Sequence, residues 1–543
     1  MSWRRGRSAL GITYEHPLAF WGGVGAVIVG TLLQLPMYFA ARHRHYHLAG
    51  KHLTGSMLFG MALIVGGTVL TAYGLFPRLP RVRGGVSSLR VRALDDAPIT
   101  AAHVGLIIVM ALAITIDVMK PTTLAFVAPG AAAEYGLKSP IHPHALGLPI
   151  ALYPLSGITG TALGSFAWGW LGDRIGRRAS IMVAAVMFIA TSACGAMPSY
   201  QLNLVMCFLM GIGVGGMLPI IFSLVSENIP ARHRGWIIVL IGGDVAGAYI
   251  IMSWLASTLA APNRYGWRLL WLVGIPISVV LVLLDRWIPE SPRFLLQHGR
   301  EEEARAIMQR YGAVIQAADE ADVEVEGGVH GNFARLFRRP FTGLTALLVM
   351  LAISIGVVQY GFQQWIPSNL QKLGYNEVNA SKILRDSALI GFPLNFPIAL
   401  LYGFWSSRGT IIIMASLTAA ALFGFVVAGS SVTHNGALLH LLLIVPIWGI
   451  SSLTAVTAAY ASEIYPTQVR ARGSGLVAAG TKLGGVAILA AVTAAVAAPS
   501  ISATSLLGAV PLVVAIGLIV AFGIETRRRG LEDITAEEYS GLT

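Results

Sequence analysis

GWLGDRIGRR, residues Gly169–Arg178, lies between two long apolar runs and decides how the rest of the chain is read. Gly169 and Gly172 have no side chain, so a neighbouring helix backbone can approach closely there. Asp173 can accept charge-assisted hydrogen bonds from an arginine or from a helix N-terminus. Arg174, Arg177 and Arg178, with Gly176 among them, hold the segment at the cytoplasmic surface. Such a cluster can latch one conformation and open in another. A loop that only set topology would need the arginines but not this spacing of glycine and aspartate.

Outward from this loop the chain is apolar. Of its 543 residues 55% are hydrophobic and 12% charged, about half the charged share of a soluble domain. The formal charge of +12 sits in short clusters between apolar runs, the pattern of cytoplasmic loops and not of a nucleic-acid face. The two cysteines, Cys194 and Cys207, lie inside apolar runs, so neither a structural disulfide nor a thiolate metal site is expected. The first run is too long, and lacks a small-residue cleavage signature, for a signal peptide.

A helix crossing a bilayer needs about 20 apolar residues. Two such runs come first, Pro17–Ala41 and Gly55–Phe76, followed by a basic linker. Twelve more follow, at 101–128, 148–171, 179–197, 201–226, 236–260, 267–288, 342–366, 383–404, 410–429, 436–460, 473–497 and 503–524. The expected organisation is an extra hairpin with linker (1–99), a six-helix bundle (100–289), a cytoplasmic linker with short amphipathic helices (290–341), a second six-helix bundle (342–525) and a tail (526–543). Arg4, Arg5, Arg174, Arg177, Arg232, Arg234, Arg470 and Arg472 all fall on one side, which predicts both termini in the cytoplasm. The loop RHRHYHLAGKH of the first hairpin carries cations on the other side, and is read as solvated.

An internal repeat supports the division into six and six. SENIPARHRG carries Glu227, Pro230 and Arg234; SEIYPTQVRARG, in the second half, carries Glu463, Pro466 and Arg470 at the same spacings. GWLGDRIGRR resembles the signature loop of the major facilitator superfamily. PESPRFLLQHGREEEA, from Pro289, and IETRRRGLEDI, Ile524–Ile534, resemble segments of sugar porters and related metabolite–proton symporters, including organic-acid symporters. The likeness covers about 100–535. It implies an all-α fold of twelve helices in two bundles, rocking around a central site by alternating access. Three departures stand out. Cys207 occupies the place where related families usually carry an arginine linked to coupling. YGFWSSRGT, the second-half copy of the loop, lacks an acid. The N-terminal hairpin has no counterpart.

Ionisable residues inside apolar runs are expensive unless paired or hydrated, and so mark a pathway. ITIDVMKPTT places Asp117 and Lys120 three apart, on one helical face, where they can neutralise each other; a structural ion pair is the alternative. Pro121 removes a backbone donor and can kink the helix there. Aligning the two copies of the repeat sets Asp244 opposite Lys482. Asp117, Lys120, Asp244 and Lys482 are read as one balanced central unit. In QYGFQQWIPSN, Gln359 and Gln363 share a face and, with Trp365, can hydrogen-bond and stack on a small polar solute; an interfacial aromatic cluster is the alternative. Arg385 and Asp386 are read as an outer-gate pair. The gating set is Gly169, Asp173, Arg174, Gly176, Arg177, Glu227, Arg234, Glu463 and Arg470.

No nucleotide-binding loop is present. The expectation is therefore a monomeric multi-pass carrier in the cell membrane, not an enzyme, with lipid, protons and a small organic solute as partners and no cofactor, metal or nucleic acid. Lys120 and Lys482 favour an organic anion. A neutral sugar-like solute, an uncoupled facilitator and a non-transporting sensor are the alternatives.

Overall fold

The computed structural model describes residues 16–75, 94, 97–263, 265–313, 336–338, 341–465, 467–494 and 500–526. Among them the secondary structure is helical apart from one isolated β-bridge, between Lys138 and Pro149. Fourteen long helices follow one another: α1 Pro17–Arg44, α2 Gly55–Leu75, α3 Ala101–Tyr135, α4 Leu152–Ile175, α5 Arg177–Ala196, α6 Tyr200–Asn228, α7 Arg232–Ala260, α8 Gly266–Leu283, α9 Thr342–Lys372, α10 Glu377–Trp405, α11 Ser407–His434, α12 Gly436–Ile464, α13 Thr467–Ala494 and α14 Ile501–Phe522. Thirteen are long and apolar enough to cross a membrane. The other, α4, is a 24-residue helix rich in Gly, Ser and Thr. It packs on α6 and α13, so protein covers faces that would otherwise need to be apolar.

Helices run longer than their apolar runs suggest. The 101–128 run becomes a 35-residue helix ending at Tyr135, where Gly136 takes a left-handed φ of 65° and caps it. α6 breaks at Gly215–Gly216 and α7 at Gly243–Asp244. Between α8 and α9 the described residues hold two short helices, Pro292–Gln297 and Glu301–Arg310. Small residues decide one close crossing. Gly211 packs on the backbone of Gly157, and Gly215 on that of Thr161, so a methyl group at either glycine would collide with the facing helix. This draws α6 onto α4.

The extra hairpin does not float. α1 and α2 pack together through Gly23, Gly30, Gly60 and Gly67, then lie against α5. Met37, Tyr38, Leu48 and Ile64 form a small apolar core with Ala193, Ala196 and Met197 at the end of α5. The loop after α1, expected to be solvated, keeps His43, His45 and His52 exposed and is anchored there through the buried Leu48. His45 and Tyr46 hold positive φ, 53° and 66°, a conformation side chains resist. The Tyr265 N–H donates to the His45 carbonyl at 3.2 Å and helps hold it.

Seam contacts join the first six core helices to the last six at several levels. α7 packs on α10 and α12, and α4 on α13. Asn395 of α10 donates to the Gly243 carbonyl at the break in α7, 3.1 Å, and accepts from the Ser452 hydroxyl of α12, 2.9 Å. Further along, the Tyr249 hydroxyl of α7 donates to the Gln363 carbonyl of α9, 3.1 Å.

Candidate functional site

At the arginine-rich end, α4 turns into α5 through Gly176, whose φ is +95°. A Cβ there would collide with the Glu290 carboxylate, so glycine is needed twice over. That carboxylate accepts the N–H groups of Arg177 at 2.8 Å and Arg178 at 3.3 Å, capping α5. It also accepts the Ser291 N–H at 2.9 Å. Burial pushes the Glu290 carboxyl above the usual carboxylate range; the Ser291 and Arg177 N–H donors partly offset this. Arg177 pairs with Glu227 at 3.7 Å and donates to the Gly172 carbonyl at 3.2 Å. The buried Arg178 reaches Asp285 at 3.6 Å. Of the residues read as gating, Gly176, Arg177 and Glu227 lie together at this turn. The surroundings of Gly169 and the side chains of Asp173, Arg174 and Arg470 lie outside what the structure describes.

The second half repeats the device with different residues. Glu525 accepts the Ser407 N–H at 2.9 Å and its hydroxyl at 2.6 Å, and also bonds the Ser406 hydroxyl, capping α11. Glu463 accepts the Tyr402 hydroxyl at 2.7 Å and the Thr526 hydroxyl at 2.8 Å, beside Gly235 of the first half. Arg234 donates to the Ile229 carbonyl at 3.3 Å, and its charge acts on Glu463.

In the middle of the molecule the expected four-residue unit divides. Asp117 is 3% exposed and its Oδ1 has no hydrogen-bond partner. Lys120 is equally buried, yet no ion pair joins the two. Lys120 turns the other way, its Nζ 6.0 Å from the Phe188 ring of α5 and against Gly274 of α8. The cation whose charge acts on Asp117 is Lys482 of α13, with no ion pair closed between them among the described residues. Asp244 does not reach Lys482; it accepts the Thr115 hydroxyl of α3. Spacing put Asp117 and Lys120 on one face, but a lysine side chain is long enough to leave that face.

On α9, Gln359 is half-buried within a widened turn, Val358–Phe362. Gln363 donates to the Pro446 carbonyl of α12 at 3.0 Å. Along α9 and α12 lie buried polar groups without a protein partner: the Gln364 amide nitrogen, both polar atoms of the Asn369 amide, and the indole N–H groups of Trp365 and Trp448. Such groups in a folded interior are rare and need a reason. Tyr360 lines a hollow of about 10 Å³ with Pro121, Leu124 and Met210, room for about one water. Arg385 and Asp386 pair with each other at 2.7 Å, both partly exposed.

At the end opposite the arginines, Glu134 and Arg268 form a fully buried two-pronged ion pair, 2.8 and 2.9 Å. Glu134 also accepts the N–H groups of Leu48 and Ala49, at 2.8 and 3.0 Å, and lies 3.3 Å from the His47 ring. The hairpin loop is therefore fastened to α3 and α8.

Glu290, Glu525, Gln364, Asn369, Trp448, Glu134 and Arg268 were not singled out in the sequence. One signal existed for the first two: Glu290 and Glu525 are related by almost the same offset that relates Glu227 to Glu463. Glu134 lies beyond the apolar run and reads as a loop acid.

A family model described as Major Facilitator Superfamily matches residues 105–488. The niacin transporter NiaP of Acinetobacter baylyi is 28% identical over 410 residues, 74% of this chain and 89% of that protein. The 4-hydroxybenzoate transporter PcaK of the same species is 27% identical over 418 residues, 71% of this chain and 84% of that protein. Among solved structures, the proton:xylose symporter XylE bound to 6-bromo-6-deoxy-D-glucose superposes with a TM-score of 0.66. It is 18% identical and covers 81% of this chain and 99% of its own.

Proposed function

The chain belongs to the Major Facilitator Superfamily and is a secondary active transporter of a small organic solute, and from that premise we propose that the solute is polar and neutral, sugar-like in its hydrogen bonding. The observation that carries this reading is the set of buried, unpartnered amides and indoles at Gln364, Asn369, Trp365 and Trp448. Amides and indoles offer donors and acceptors without net charge, and a hydroxylated solute can satisfy both. Lys120, one of the two cations that favoured an anion, turns away from this region.

Coupling to protons rests on Asp117. A carboxylate buried in a helix of the membrane core, with an oxygen lacking a donor, is an apt proton carrier. Gly176, Arg177, Glu227, Arg234 and Glu463, with Glu290 and Glu525, act as the latch at the arginine-rich end. This end faces the cytoplasm, with both termini, by the arginine bias.

A second reading has its own observation. Lys482 is half-buried on α13, where its charge acts on Asp117, and an ammonium there can meet a solute carboxylate once Asp117 is protonated. Niacin and 4-hydroxybenzoate, named in two relatives, each carry one on an aromatic ring. The discriminating experiment is uptake of radiolabelled D-xylose, niacin and 4-hydroxybenzoate into proteoliposomes, with and without a pH gradient. Saturable uptake of the neutral solute, driven by an inward proton gradient, supports the first reading. Uptake confined to the two carboxylates, and lost in Lys482→Gln, replaces it with the second.

A further inference from the structure

Asp117 and Lys120 present a problem. Both are 3% exposed, they sit three residues apart on α3, and they do not pair. Residues at this spacing are neighbours on a helix, so the gap is one of side-chain direction and not of reach. Lys120 is directed into a hollow of about 10 Å³ inside the first bundle, lined by Ile116, Leu270, Gly274 and Ile277. Gly274 makes the room, because a Cβ at that position would overlap the Lys120 amine. The Phe188 ring, 6.0 Å away, is a weak cation contact. Pro121 follows directly; it has no N–H to give the Asp117 carbonyl four residues back. The helix is therefore loosened at the turn that holds both groups.

We propose that Lys120 is a movable counter-charge for Asp117, parked against Gly274 while Asp117 is protonated and paired with it once that proton leaves. The proposal rests on the proton-coupling reading above and deepens it. One proton is exchanged, between the Asp117 carboxyl and water; the ammonium swings across one helical turn and keeps its own protons.

The Lys482 charge on α13 acts on Asp117 and is the rival counter-charge, with no ion pair closed between them among the described residues; the titratable group beside Lys120 is the Cys194 thiol of α5. Asp244 on α7 is bonded by Thr115. Glu134 and Arg268 neutralise each other at one end of α3, and Arg178 holds Asp285 at the other. Lys120 is a positioning residue here: it touches neither the solute nor the proton in transit.

The test needs no solute. Thermal unfolding of the purified full chain in nanodiscs is followed at about pH 5 and about pH 8 for the parent, Asp117→Asn, Lys120→Met and the double variant. At the higher pH each single change should lower Tm by several degrees, and the double change should recover most of that loss. At the lower pH the two effects should add. Additivity at both pH values, or an equal interaction at both, overturns the proposal. So does the same pH-dependent interaction found between Asp117→Asn and Lys482→Gln instead. Gly274→Ala fills the parking place and should raise the Asp117–Lys120 interaction at the lower pH; an unchanged interaction also overturns it. Should Gly274→Ala fail to fold, the four-protein cycle still decides. Because no transport is measured, a negative result leaves the solute reading standing.

Discussion

The Glu290 carboxylate accepts the Arg177 N–H at 2.8 Å, and the Glu525 carboxylate accepts the Ser407 N–H at 2.9 Å. The two halves thus cap corresponding helices with a glutamate that follows each half's last core helix. The surrounding partners differ: arginines and Gly176 in the first half, serines in the second. The fold kept the cap and let the loop around it change.

The first prediction follows from the burial of Glu290. Its carboxyl is held above the usual range in the folded chain, so the folded state binds the proton more tightly than the unfolded state does. Its titration therefore favours folding below the unfolded pKa, and that contribution is lost as pH rises through the folded value. Glu290→Gln removes the titration. The Tm difference between parent and variant should shift against the parent as pH rises from roughly 4 to roughly 7. A difference that stays flat would show that the group does not titrate in this range.

The second concerns Glu134. Removing one partner of a buried ion pair strands the other, a loss of about 3–5 kcal/mol. Glu134→Gln and Arg268→Gln should each lower thermal stability markedly, and together they should lose less than the sum. Glu134→Gln should also free the 42–52 loop, read as faster cleavage by trypsin added on that side. Unchanged cleavage would mean the apolar core around Tyr38 and Leu48 suffices to dock the hairpin.

The third tests the solute groups. Asn369→Ala and Gln364→Ala each remove hydrogen bonds worth about 0.5–1.5 kcal/mol when made to a neutral partner. Apparent affinity for the transported solute should fall by about 2- to 12-fold per change, with Tm nearly unchanged because no protein bond is lost. A fall in Tm with unaltered affinity would assign these side chains to packing.

The fourth isolates Asp117. Asp117→Asn should abolish accumulation driven by a pH gradient and keep solute exchange across the membrane at equal concentrations. Loss of both points to a solute-binding or folding role. Accumulation that persists moves the proton to Asp244.

The fifth is topological. Reporter fusions at residues 85 and 320 should both read cytoplasmic. An outward signal at residue 85 would invert the hairpin.

Much of the fold was legible because bilayer crossing leaves a coarse and redundant mark. Runs of apolar residues, arginine bias and the SEN/SEI repeat each point the same way. Asp117 was legible for the same reason, as a charge where charges are costly. What escaped needs three dimensions. The Asp117–Lys120 pair was read from spacing, and spacing does not fix the direction of a four-carbon chain. Glu134 and Arg268 are far apart along the chain, and neither looks unusual beside its own neighbours. Gln364 was passed over next to Gln363 because helical faces separate adjacent residues, and here both faces are buried.

Glu134 fastens the hairpin loop to α3 and α8, and α1 and α2 lie along α5. The hairpin therefore travels with the first bundle. Any rocking motion sets a body of eight helices against one of six, and the two do not share the turn equally. The broader body would meet more viscous drag from lipid, so in such a motion the six-helix body would make the larger excursion, one half serving as a keel while the other swings.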